Sequence, residues 1–237
     1  MKEVNSFLNS LIGYIVICVF LTGVGLLMWV FPETSVLEYG FADMDALFSF
    51  APYVFMFLVP AIAMRTFAEE KRAGTLEMLL TKPLADLQII MGKYLAGLAL
   101  VLFALAPTFI YYISIYILGS PQGNIDSAGV FGSYIGLALL GAVFMSIGIF
   151  SSSLTQNQIV AFILAVFLSF MLYSGFESLS QVNVWGSWSA ALEQLGLVFH
   201  YQSMSKGLID TRDVVYFLSV IVVMIFAANL VLKSRKW

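Results

Sequence analysis

Charge is what this 237-residue sequence has least of. Asp, Glu, Lys and Arg make up 11% of it and hydrophobic residues 61%, where a soluble globular chain carries about 25% charge. Side chains able to cover a water-facing surface are too few, so the excess apolar surface must face lipid. Cysteine is nearly absent. The single Cys18 lies in an apolar run, which excludes an intrachain disulfide and a cysteine metal site and leaves a small side chain buried or facing lipid. Histidine occurs once, as His200. A metalloprotease His-Glu-x-x-His pair is therefore excluded, and no Gly-x-Ser-x-Gly nucleophile site is present. A G-x-x-x-x-G-K-[ST] phosphate loop is also missing: Gly92-Lys93 is followed by Tyr94 and has Leu87 where the first glycine belongs. The chain cannot hold ATP through such a loop. Net charge is −3, and no basic cluster with interleaved aromatics points to nucleic acid. The chain is expected to be no enzyme, with no cofactor or metal of its own.

What is abundant is long apolar runs. About 20 helical residues cross a hydrocarbon core of about 30 Å. The charge-free stretches predict six spans. The first centres on 11–31; it is too long for a signal-peptide core and lacks a cleavage site after it. Asn5, Ser6, Asn9 and Ser10 form a polar lead-in before it. The second is 46–64, with Pro52 and Pro60 as expected kinks, and the third is 94–118, with Pro107 near its middle. The charge-free run 127–176 would be about 75 Å long as one helix, so it must fold back. The polar cluster Ser151 to Gln158 is the expected turn between a fourth span, 129–150, and a fifth, 159–176. The sixth is 214–232. No internal repeat or linker divides the chain, so residues 1–237 read as a single all-α, polytopic membrane domain. Every span so drawn lacks Asp, Glu, Lys and Arg, which argues against ion-coupled transport. Glu177, at the outer end of the fifth, is the nearest candidate for a functional acid, the plainer reading being an interfacial charge.

Six spans put both termini on one side. Lys2, Arg65, Lys71, Arg72, Lys82, Lys93, Lys233, Arg235 and Lys236, nine of the eleven basic residues, then share that side. Only Lys206 and Arg212 fall opposite, where Glu33, Glu38, Asp43, Asp45 and Asp126 also lie. The basic side is expected to be cytoplasmic.

The connection between spans two and three concentrates both signs of charge: Arg65, Glu69, Glu70, Lys71, Arg72, Glu77 and Lys82. Gly74 marks a backbone break, and Leu76, Leu79 and Leu80 share one face of a short helix that Pro83 ends. Leu84, Leu87 and Met91 make a second apolar stripe. The residues predict an amphipathic helical hairpin on the cytoplasmic membrane face, its charges open to a soluble partner. The bland reading is a solvated loop whose basic residues only fix topology.

The string E-E-K-R-A-G-T-L-E-M-L-L-T-K-P-L, followed by Gly92-Lys93, resembles the signature loop of ABC-2 type transporter permeases. The stretch 152–162, and His200-Tyr201 with 206–217, narrow the likeness to the permease subunits of gliding-motility-associated ABC transporters. The resemblance covers nearly the whole chain. It implies that Glu69, Glu70, Lys71, Gly74, Thr75 and Glu77 lie in the loop that docks on a separate ABC ATPase, which would hold ATP and Mg. It also implies a second permease subunit, identical or distinct, and a multi-pass protein of the bacterial inner membrane. The alternative is a membrane scaffold that recruits the ATPase without transporting anything. Residues 177–212, opposite, are too apolar for a free loop. Trp185 and Trp188 suit a membrane interface, and Ala191, Leu192, Leu195, Val198 and Phe199 recur at near-helical spacing. A short re-entrant or interfacial helical element is expected there, with Glu193, Gln194 and His200 as candidates for the polar cap of an outer gate.

Overall fold

The chain is described by a computed structural model over residues 11–80, 85–182 and 188–234. Every regular element among the described residues is helical. Helix α1 is Leu11–Trp29, followed by the short α2, Val36–Tyr39, which Ser35 caps. Helix α3, Asp45–Ala63, passes through a break at Met64 into α4, Arg65–Arg72. Helix α5 is Thr75–Leu80. Helix α6, Asp86–Leu105, tightens at Ala106–Thr108 and continues as α7, Phe109–Leu118. Helix α8 is Ser127–Leu154. Helix α9, Gln158–Phe170, widens over Met171–Gly175 and ends as α10, Phe176–Ser180. Helices α11, Ser189–Gln194, and α12, Leu197–Met204, precede the last, α13, Thr211–Lys233.

Five helical runs are long and apolar enough to cross a membrane: Asp45–Arg72, Asp86–Leu118, Ser127–Leu154, Gln158–Ser180 and Thr211–Lys233. Gly13–Trp29, within α1, is apolar and shorter. The polar lead-in before α1 lies outside the described residues.

Helix α8 is the axis of the bundle. It touches α3, α4, α6, α9, α12 and α13, and 78% of its apolar stretch is buried, against 28% for the runs ending at Ser180 and Lys233. Small residues make this crowding possible, because helices in lipid associate through close backbone approach. A Cβ at Gly148 would collide with the Cβ of Ala63, and one at Gly136 would lie 2.8 Å from the Cβ of Met204. Aromatic side chains fill what remains: Phe20 on Phe55, Phe48 on Tyr134, and Phe144 on Tyr173.

The helix ends differ from those read off the charge-free runs. The polar cluster is a turn only at Thr155–Asn157, with the Asn157 side chain accepting the Ile159 N–H at 2.9 Å. Ser151, Ser152 and Ser153 are helical and fully buried. Hydroxyls can stay inside a bundle when they find carbonyls or amides to bond. The third run starts at Asp86, so Lys93 sits within α6 at 3% exposure. The last run takes in Asp213, 7% exposed. The spans are therefore not free of charge; each of these charges has a partner that allows the helix to continue. Pro52 and Pro60 both lie inside α3, and the interruption comes at Met64, one turn after Pro60. Proline gives no N–H to the preceding turn, and the neighbouring helix supplies what that region needs. Of the expected stripe Leu84, Leu87 and Met91, Leu84 lies outside the described residues, Leu87 is exposed and Met91 is half-buried against the core, where Ile89, Ile90 and Tyr94 are buried.

Candidate functional site

The charged segment directly continues α3, so it stands on the end of the bundle instead of lying as a separate hairpin. Helix α4 ends in a turn at Ala73 and Gly74. Gly74 has φ +70°, a left-handed conformation that glycine adopts without the penalty a side chain brings. Helix α5 then folds back on α4, and the Thr75 hydroxyl donates to the Glu70 carbonyl at 3.3 Å. Leu76 is buried under this elbow; the side chains of Glu77, Leu79 and Leu80, and residue Pro83, lie outside the described set.

The charges divide by direction. Glu69 is bound by Arg65, Nε at 2.8 Å and Nη2 at 3.0 Å, on the solvent side. An exposed i,i+4 pair of this kind contributes about 0.3–0.5 kcal/mol. Arg72, Ala73, Gly74 and Thr75 are exposed, as is Met78. Glu70 and Lys71 turn the other way. The Lys93 ammonium of α6 donates to Glu70 Oε1 at 2.6 Å, and also lies 5.3 Å from the centre of the Phe67 ring. Glu70 Oε2 is buried without a hydrogen bond among the described residues, so Lys93 carries the carboxylate. Lys71 is 9% exposed and donates to the Ser153 carbonyl. That carbonyl belongs to the last turn of α8, whose end is unsatisfied and negatively polarised. Glu69 therefore lies on the solvent side beside Arg65, while Glu70, partly exposed, and Lys71 turn to partners on α6 and α8.

Ser152 ties the break itself. The N–H groups of Phe67 and Ala68, in the unsatisfied first turn of α4, donate to its Oγ at 3.0 Å each, and its hydroxyl donates to the Met64 carbonyl at 3.0 Å. A serine of α8 thus acts as the N-terminal cap of α4 from a different helix. Helix α4 is fastened to α8 at both ends and to α6 through Glu70. At this end of the molecule the polar bonds join α4 to two neighbouring helices. Among the described residues no three His, Cys, Asp or Glu side chains are grouped to hold a metal.

At the opposite end, α12 packs on α8, and α11 packs on α10 and α12. Leu197, Val198, Tyr201 and Met204 are buried, while Leu195 and Phe199, part of the expected apolar stripe, are exposed. The Tyr201 hydroxyl donates to the Phe48 carbonyl at 2.7 Å, and the Ser133 hydroxyl to the Ser205 carbonyl at 2.8 Å. Glu193 and the Gln194 side chain are exposed. His200 is turned inward: Nδ1 lies 2.7 Å from Asp213 Oδ1 and Nε2 2.9 Å from the Gln194 carbonyl. Of the three gate candidates, the structure joins His200 to the backbone of Gln194 and leaves Glu193 apart. Trp188 is exposed; Trp185 lies outside the described residues.

Sequence reading includes Ser152, Ser153, Lys93 and Asp213 only within the stretches that carry the family likeness or the charge asymmetry, and gives none of them a contact. Lys93 and Asp213 lie within a turn of apolar runs that extend past them.

No curated protein matches this sequence. The family description "ABC-2 family transporter protein" matches residues 31–237, which takes in α3 to α13 and both ends of the bundle described above. The chain belongs to the ABC-2 transporter family, a family of membrane transport components.

Proposed function

We propose that the chain is the membrane-spanning subunit of an ATP-driven ABC exporter. Family members work in general with an ABC ATPase subunit, and the reading places ATP and Mg on that separate chain. Counting α1 as a crossing makes six spans, with both termini on the side of α4. The excess of Lys and Arg on that side supports a cytoplasmic face, in a bacterial inner membrane. A second permease, identical or distinct, would supply the other wall of a pathway. The likeness of 152–162 and 206–217 to gliding-motility permeases supports cell-surface motility as the process served.

The observation that carries this reading is the set of bonds on α4. A free loop would absorb a push from a docked partner. Here α4 is bonded to α8 through Ser152 and Lys71, and to α6 through Glu70. Motion imposed on the exposed elbow, Arg72 to Thr75 with Met78, passes to two membrane helices at once. Complementary charge at Glu69 and Arg72 would set the register of docking.

The test is co-purification with the neighbouring ATPase. Wild-type permease should change its rate of ATP hydrolysis, and Ser152→Ala should keep the ATPase bound while that change falls by about tenfold. Unaltered hydrolysis after replacing Ser152, Glu70 and Gly74 in turn, with binding intact, would mark a scaffold instead of a transporter.

A further inference from the structure

His200 is held between two oxygens that only accept hydrogen bonds, a carboxylate on Asp213 and the carbonyl of Gln194. A neutral imidazole has a single N–H. With Asp213 ionised, one of the two contacts would set lone pair against lone pair. Both become hydrogen bonds only when the group holds one further proton. Against two accepting oxygens both ring nitrogens must donate, which makes the group an imidazolium–carboxylate pair. The surroundings suit this. The ring stacks on Tyr216 at 4.0 Å and 22°, a face that attracts cations, and Asp213 lies in the first turn of α13, where the helix dipole favours negative charge.

These groups belong to three elements: Gln194 ends α11, His200 is in α12 and Asp213 in α13. The Tyr216 hydroxyl, from α13, also donates to the Leu195 carbonyl just after α11. We propose that His200 and Asp213 form a proton-binding latch that fastens residues 188–204 to α13, on the membrane face opposite α4, and that loss of the proton releases them. This goes beyond the transport reading and stands on the outer segment alone. The fastened state holds one proton more than the released state, so fastening strengthens as pH falls and weakens as pH rises. The other titratable or charged groups on the packed elements are Tyr201 on α12, Glu193 on α11, Glu177 on α10, Tyr173 in the widened turn, Tyr134 on α8, Asp45 and Tyr53 on α3, Asp86, Lys93 and Tyr94 on α6, and Asp210, Arg212, Tyr216 and Lys233 along α13. The bonds to the two ring nitrogens go to Asp213 and Gln194.

His200 is the only histidine, so isotope-labelled histidine in the full chain, read by NMR in lipid nanodiscs, reports one ring. Across a pH series both ring nitrogens should carry a proton at the acidic end. Raising the pH should remove one of them. Hydrogen-exchange protection of 189–204 should fall with it by about tenfold or more. Asp213→Asn keeps the shape, and its amide can donate to Nδ1 of a neutral ring. It should hold a singly protonated ring and stay protected throughout. A wild-type ring with one proton while the segment stays protected would overturn the latch, and so would parallel loss of protection in wild type and Asp213→Asn.

Discussion

The Ser152 hydroxyl serves three backbone groups at once, and the residue beside it serves none. Ser151 is equally buried, but its Oγ has no hydrogen bond among the described residues. Removing the two hydroxyls should therefore have opposite consequences. Ser152→Ala strands the Phe67 N–H group and removes a second acceptor from Ala68, and should cost about 1–3 kcal/mol, seen as a lower midpoint in thermal unfolding and faster exchange over 66–72. Ser151→Ala should be neutral or mildly stabilising by the same measurements. Glu70 and Lys93 form the second residue-scale test. Each single change, Glu70→Gln or Lys93→Met, removes the ion pair, a loss that reaches about 3–5 kcal/mol for fully buried pairs. Glu70 is partly exposed, so its loss should fall below that range. The double variant should lose less than the sum of the singles, and a double-mutant cycle on unfolding midpoints measures the coupling.

At the scale of elements, α8 depends on absent side chains. Gly148→Ala puts a methyl group where Ala63 already has one, and overpacking of this kind costs about 1–3 kcal/mol. Ala63→Gly in the same chain should restore most of the loss, read again as the unfolding midpoint; equal instability in single and double variants would mean the two helices do not meet there. The elements also show what the sequence made legible. Apolar length and the polar interruption located every long helix from α3 to α13, because crossing lipid is a demand on composition. Their ends were not legible, because an end depends on partners from elsewhere in the chain. Lys93 appeared to close a span and instead lies inside one, paired with a glutamate 23 residues earlier. The serine run looked like a turn, and it is a helical surface that caps another helix.

For the molecule as a whole, the segment that family resemblance singled out is where the structure concentrates its long-range polar bonds at one end of the bundle. Gly74 was legible as a break because only a residue without Cβ turns so tightly at that φ. The inward direction of Glu70 and Lys71 was not, since helical spacing cannot say which face meets Lys93 and the end of α8. The outer segment was legible as helical, but its phase only in part: Val198 is buried, while Leu195 and Phe199, on the same expected face, are exposed. The proposal of force transmission from a separate ATPase requires the elbow to face the cytosol. A cysteine at Ala73, which is exposed, in a Cys18→Ser background offers a single reactive site. It should react with a membrane-impermeant maleimide in inverted membrane vesicles, be protected when the ATPase is bound, and stay unlabelled in intact cells. Labelling of intact cells from outside would place the elbow on the wrong side of the membrane and contradict the proposed coupling.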